Sequence, residues 1–94
     1  MLVAIYIDPP IWRARGRLWS HLISDVTFDE LHEFAGRLGA PPRAFERDHY
    51  DIPDEAYDRA VLLGAQAVSC QEVLGHLRRS GLRRPKFSRP PSMT

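Results

Sequence analysis

The sequence has one cysteine, one lysine and no long apolar run. A single thiol, Cys70, excludes an internal disulfide, and a chain read as lacking a secretion signal is expected in a reducing cytoplasm. No stretch approaches the roughly 20 apolar residues that a membrane span requires. The opening run, Met1 to Ile7, has no basic residues before it and reads as a buried strand rather than a signal peptide. Large net charge is missing as well: the balance is +1. The distribution, however, is uneven. Acidic residues dominate positions 25–58, and basic residues dominate both flanks. Twelve of the thirteen bases are arginine, which nucleotide composition explains better than a need for phosphate forks.

What is present suits one small globular domain. The chain has 94 residues, 44% of them hydrophobic and 27% charged, a balance outside the disordered range. Leu2 to Ile7 reads as a central strand covered on both faces. Asp8-Pro9-Pro10 stops it, because proline supplies no ladder donor. A loop carrying Trp12, Arg13, Arg15 and Arg17 leads to a second strand over Leu18–Ser24. Period two sends Leu18, Ser20, Leu22 and Ser24 one way and Trp19, His21 and Ile23 the other. Thr27 and Glu30 form the frame of a capping box, with Val26 and Leu31 as its staple. The helix that follows has an apolar stripe of Phe28, Leu31, Ala35 and Leu38, with Phe34 beside it. Gly39 suits the left-handed position after its end.

Ala40-Pro-Pro42 opens a loop that Phe45 is expected to anchor. A short strand over His49–Ile52 follows. Pro53, Asp54 and Glu55 then favour a helix start. That second helix should bury Tyr57, Ala60 and Val61 and stop at Gly64. Ala65–Val68 reads as the last strand, and Ser69 with Glu72 caps a third helix that ends at Gly81. Strands alternating with helices predict an α/β domain: a three- or four-stranded, mostly parallel sheet with three helices. The domain is expected to occupy residues 1–83. Residues 84–94, basic and proline-rich, read as a disordered tail, so truncation after Leu82 or Arg83 should leave the fold intact.

The residue types with chemical potential gather around Asp48-His49-Tyr50-Asp51. In strand geometry His49 and Asp51 share one face and Tyr50 takes the other. In a parallel sheet, ligands bind at the carboxyl ends of the strands, and there the sequence delivers Asp8, Asp25 and Asp51. Carboxylates with imidazoles make a divalent-metal site or an acid–base pair. The candidate metal ligands are Asp8, Asp25, His49 and Asp51. The candidate catalytic groups are His21, His49 and Asp51. Magnesium or manganese would suit all-oxygen ligation, and zinc would suit ligation through histidine. Arg15 and Arg17 are the candidate clamps for a substrate phosphate.

Other residues have plainer readings. His32 reads as a boundary or surface histidine. His76 meets the negative end of its helix. Trp12 and Trp19 are core or interface aromatics unless they stack bases. Cys70 is a small apolar residue at a helix start. Aspartates after strands also terminate turns and cap helices without any catalytic duty.

Tyr6-Ile-Asp8, Arg15-Gly-Arg-Leu-Trp-Ser-His-Leu-Ile-Ser-Asp25, Glu30-Leu-His-Glu-Phe-Ala35, Asp48-His-Tyr-Asp51 and Gly64-Ala65 together resemble a family of small bacterial and phage proteins. It is catalogued as domain of unknown function 4031. The resemblance covers roughly residues 2 to 83. It implies one compact domain and carries over no catalytic residue, since no activity is established for the family.

Two functions are therefore expected as alternatives. One is metal-assisted hydrolysis, or binding, of a phosphate-bearing substrate such as a nucleotide or nucleic acid. The other is a non-catalytic nucleic-acid- or protein-binding module that uses the arginines, the tryptophans and the tail, with a second copy of the chain as a further candidate partner. Convergence of the acids and histidines in space separates the two.

Overall fold

A computed structural model describes residues 4–84. The elements are β1 (Ile5–Ile7), β2 (Trp12–Ala14), β3 (Arg17–Ser24), α1 (Phe28–Leu38), β4 (Phe45–Glu46), β5 (His49–Pro53), α2 (Tyr57–Leu63), β6 (Gln66–Ala67) and α3 (Cys70–Ser80). The expected tail, apart from its first residue, lies outside the described residues.

The longest strand, β3, organises the sheet. One flank pairs with β5. The other flank pairs with β2 along its first half and with β1 along its second. The strand order is β4-β5-β3-β1-β6, with β2 added beside β3. Among the described residues only β1 and β6 run parallel; the other four pairings are antiparallel. The sheet is thus mixed and six-stranded, not mostly parallel. The reason is local. Two-residue turns, Arg15-Gly16 and Arg47-Asp48, fold adjacent strands into hairpins, and such turns permit no crossover. At the first turn both residues have positive φ, 49° and 76°, the backbone that a type I′ turn needs. The segment read as a loop around Trp12 is therefore a strand.

Helices cover both faces of the sheet. Leu31, Phe34, Ala35 and Leu38 of α1 and Ala60 of α2 pack on Ile5, Ile7, Leu22 and Ile52. On the opposite face Val73 and Leu77 of α3 pack on Ile23. Alternation along β3 and β5 decides which side chains meet which layer. Tyr50 enters the α1 layer, whereas His21, His49 and Asp51 turn towards α3.

The helix caps differ in detail from the sequence expectation. Ser69 and Glu72 make a complete capping box at α3. At α1 the Thr27 hydroxyl accepts the Glu30 amide, but the Glu30 carboxylate accepts the Ala4 amide at 3.2 Å. Glu30 thus ties α1 to the start of β1 instead of closing the box. Val26 is 56% exposed and forms no buried staple. Val61 is also exposed, because α2 is short and turns only its Ala60 face inward.

Candidate metal centre

The site begins with two prolines. Pro9 and Pro10 interrupt the strand that would continue β1 into β2, and the gap falls opposite His21. Asp8 occupies that gap. Its amide donates to the His21 carbonyl at 3.2 Å. Its carboxylate accepts the His21 amide at 2.6 Å. The side chain thus supplies the acceptor for the His21 amide where regular pairing of β1 with β3 stops. The other carboxylate oxygen accepts from His21 Nδ1 at 2.9 Å and from Trp12 Nε1 at 3.3 Å. Asp8 is fully buried, and all these bonds hold one imidazole in place.

His49 is held the same way by a different residue. The β4–β5 turn is tight: the Asp48 amide reaches the Glu46 carbonyl at 2.6 Å around Arg47, whose φ is +57°. That is γ-turn geometry, strained in a non-glycine residue by on the order of 1–3 kcal/mol. Asp48 follows the turn and is fully buried. One of its oxygens bonds His49 Nδ1 at 2.8 Å. The other accepts the Arg83 guanidinium at 3.1 Å and the Arg84 amide at 2.7 Å. The Arg84 guanidinium lies 4.3 Å over the Phe28 ring.

Both histidines therefore spend Nδ1 on a buried carboxylate, which leaves Nε2 as the working nitrogen. His21 and Asp51 are register partners across β3 and β5, and His49 lies two residues from Asp51 on the same face. One ligand atom from each of His21, His49 and Asp51 lies within 4.8 Å of the other two. The imidazoles meet edge to face at 4.9 Å.

Electrostatics follow from this geometry. His49 Nε2 is 3.2 Å from Asp51 Oδ1, so carboxylates face both of its nitrogens. A neutral ring that donates through Nδ1 has only a lone pair at Nε2, which a carboxylate repels. The contact is satisfied by a second proton or by a cation. Burial, the largest influence, opposes protonation of His49. The hydrogen bonds and charges of Asp51 and Asp48 together outweigh it and raise the pKa above the usual histidine value. Burial likewise acts to raise Asp48, but the His49 bond, the Arg84 amide and the His49 and Arg83 charges leave it below the usual carboxylate value. Asp51 is lowered in the same manner, against burial, by His49, His21 and Arg15.

The family model described as protein of unknown function (DUF4031) matches residues 5–80. The chain belongs to the DUF4031 family. No curated protein and no solved structure matches it. The matched DUF4031 span holds the three candidate ligands and both buried aspartates, whereas Arg83 and Arg84 lie just past it.

Of the candidates read from the sequence, the structure brings His21, His49 and Asp51 together. It puts Asp8 behind His21, with its oxygens already committed. Asp25 it sends elsewhere. In this DUF4031 chain β3 runs antiparallel to β1, so Asp25 emerges beside Ala4. That is four residues back from Asp8, roughly 13 Å along the strand. There Asp25 lies 3.7 Å from His76, whose ring stacks on Tyr6. Arg15 stays on the Asp51 side, and Arg17 pairs with Glu55 at 2.9 Å. His32, exposed on α1, bonds the Tyr50 hydroxyl at 2.7 Å on the far face of the sheet. Sequence reading missed the orienting duty of Asp48 and its partners Arg83 and Arg84. The Asp-His-x-Asp order signalled the first; nothing local signals a contact spanning 35 residues.

Two clefts divide the three candidate ligands between them. The first, about 350 Å³ between α3 and the sheet, is lined by His21, His49, Trp12, Arg47, Val73 and Leu74, among others. The second, about 660 Å³, is lined by Asp51, Arg15, Trp19 and Arg43, among others.

Proposed function

We propose that His21, His49 and Asp51 bind one divalent metal ion and that the protein uses it on a phosphate ester of a nucleotide or nucleic acid. The observation that carries this reading is the pair of imidazoles, each backed by a buried carboxylate, converging on a third carboxylate. Metal-bound histidines characteristically give their other nitrogen to such an acceptor. Two nitrogens and one oxygen suit zinc or manganese better than magnesium, which prefers oxygen alone. Three protein ligands leave positions open for water and substrate, as in catalytic metal sites. A bound metal would supply an activated water at neutral pH and draw charge from the phosphoryl oxygens. Hydrolysis there would join that water oxygen to phosphorus and break the ester P–O bond, the departing oxygen taking up a proton. Arg15, whose charge acts on Asp51, and Arg47, which lines the cleft with both histidines, are the candidate cations for the remaining phosphate charge. The Arg47 Nε is buried with no hydrogen-bond partner among the described residues.

The cytoplasm suits the free Cys70 thiol. Among the described residues no helix is long and apolar enough to cross a membrane.

The experiment is hydrolysis of bis(p-nitrophenyl) phosphate by protein loaded with zinc or manganese, against the His49→Ala protein. Metal-dependent release of nitrophenolate that disappears in the variant supports the reading. Zinc or manganese binding without turnover would keep the metal and remove the hydrolysis. Failure of both would leave the non-catalytic module, for which Trp12, 46% exposed, and the Arg15–Trp19 stack are the remaining support.

A further inference from the structure

The three candidate ligands do not share one cavity. His21 and His49 line the cleft under α3, and Asp51 lines the groove beyond it. A metal held by all three would stand on the divide. A small phosphomonoester needs only one of the two spaces, whereas a chain passing the metal needs both.

The groove has the chemistry for such a chain. Four arginines line it: Arg15, Arg17, Arg43 and Arg59. Arg17 pairs with Glu55, and Arg59 gives a guanidinium N–H to the Leu38 carbonyl at 2.7 Å. Arg15 and Arg43 make no ion pair among the described residues. The acids in the groove are otherwise engaged. Glu55 faces Arg17, Glu46 faces Arg47 at 3.1 Å, and Asp51 faces His49 Nε2 at 3.2 Å. Two cations are thus left over.

Trp19 lines this groove, and Trp12 lines the cleft under α3. Trp12 and Trp19 are register partners across β2 and β3 and lie on one face. Each indole N–H is fixed, Trp12 to Asp8 at 3.3 Å and Trp19 to the Ala14 carbonyl at 2.9 Å. The Arg15 guanidinium lies 4.6 Å over the Trp19 ring. Pinned rings beside cations are the combination that grips single strands, because unpaired bases stack on the rings while the cations follow the phosphates. A duplex keeps its bases stacked on each other and gains nothing from such rings.

We infer that the groove beside Asp51 is a binding track for single-stranded nucleic acid, whose phosphates run past Arg15 and Arg43 while a neighbouring nucleoside enters the cleft under α3. The inference rests on the metal reading for where the strand is held, but its test does not need the metal.

The test is fluorescence anisotropy of a short labelled single-stranded oligonucleotide in chelator, with an unlabelled mononucleotide and a duplex of the same sequence as competitors. Arg43 is exposed, in a short 3-10 turn outside the core, so Arg43→Glu should fold normally. The double variant Arg15→Glu/Arg43→Glu extends the change. We expect the single strand to compete at least tenfold better than the mononucleotide or the duplex. The double variant should bind at least tenfold more weakly. Its slope of log affinity against log salt should shrink by about 1.4, the loss of two phosphate contacts on a single strand. Equal competition by the mononucleotide, or unchanged binding by both variants, overturns the inference. Zinc titration of the same variants separates the two readings. Normal zinc binding with lost oligonucleotide binding confirms the groove alone. Absent zinc binding in wild type with oligonucleotide binding intact removes the metal and leaves the track.

Discussion

His21 and Asp51 sit directly opposite each other across the β3–β5 ladder. Cross-strand partners keep their Cβ atoms about 5 Å apart, so the backbone itself sets the separation of this imidazole and this carboxylate. His49 joins them by period two along β5. The centre thus stands on paired strands in the middle of the sheet, and it needs only the right rotamers. Those rotamers are what Asp8 and Asp48 supply.

Removing the orienting carboxylates should weaken metal binding without removing a ligand. We expect Asp8→Asn to lower zinc affinity by about 10- to 100-fold, the usual effect of losing a carboxylate behind a ligating histidine. Isothermal titration measures it. Unchanged affinity would show that His21 does not bind the metal through the nitrogen Asp8 leaves free.

Asp48 also closes the domain. Truncation after Leu82 removes Arg83 and Arg84 and leaves a buried carboxylate oxygen unpaired, at a cost of about 1–3 kcal/mol. For a domain of this size each kcal/mol lowers Tm by about 4–8 °C. Truncation after Arg84 should leave Tm nearly unchanged. Equal Tm for both truncations would mean that the contacts to Asp48 contribute nothing.

The pH dependence of the metal-free protein has a definite sign. His49 has a raised pKa when folded. Its stabilising contribution is complete below the unfolded pKa and is lost as pH rises through the folded one. Asp48 and Asp51 have lowered pKa values. Their contribution is complete above the unfolded pKa and is lost as pH falls through the folded one. Urea midpoints against pH should therefore peak between the carboxylate and imidazole transitions. Metal follows a different rule, because it must displace the His49 proton. Below the folded His49 pKa, affinity should fall about tenfold per pH unit for that one proton. A flat affinity would place His49 outside the site.

The caps make a separable prediction. Ser69→Ala and Thr27→Ala should each cost about 1 kcal/mol in chemical denaturation. Glu72→Ala should weaken α3 through its box. Glu30→Ala should instead loosen the Ala4 end of β1, visible as faster amide exchange at Ala4. Equal exchange in both variants would contradict the tether seen at Ala4.

Much of this arrangement was legible in the residues. Alternation placed His49 and Asp51 on one face and Tyr50 on the other, and the cap residues marked two helix starts. Strand direction was not legible. Helices alternating with strands suggested parallel pairing, and that expectation brought Asp25 to the wrong edge. Arg15-Gly16 and Arg47-Asp48 lack the asparagine–glycine signature of two-residue turns, so the hairpins were hidden. Once β3 is antiparallel, Asp25 lies at the far end and Asp8 falls opposite His21. The clasp of Asp48 by Arg83 and Arg84 could not be read at all, since it joins distant parts of the chain through tertiary packing.

The central claim is one metal ion on three side chains. Isothermal titration of zinc into wild type and into His21→Ala, His49→Ala and Asp51→Ala tests it most directly, with circular dichroism to verify that each variant is folded. We expect one equivalent bound by wild type, and binding abolished or weakened at least a hundredfold in every folded variant. No binding by wild type, or equal binding by the folded variants, would contradict the claim and leave the two buried Asp–His pairs as architecture.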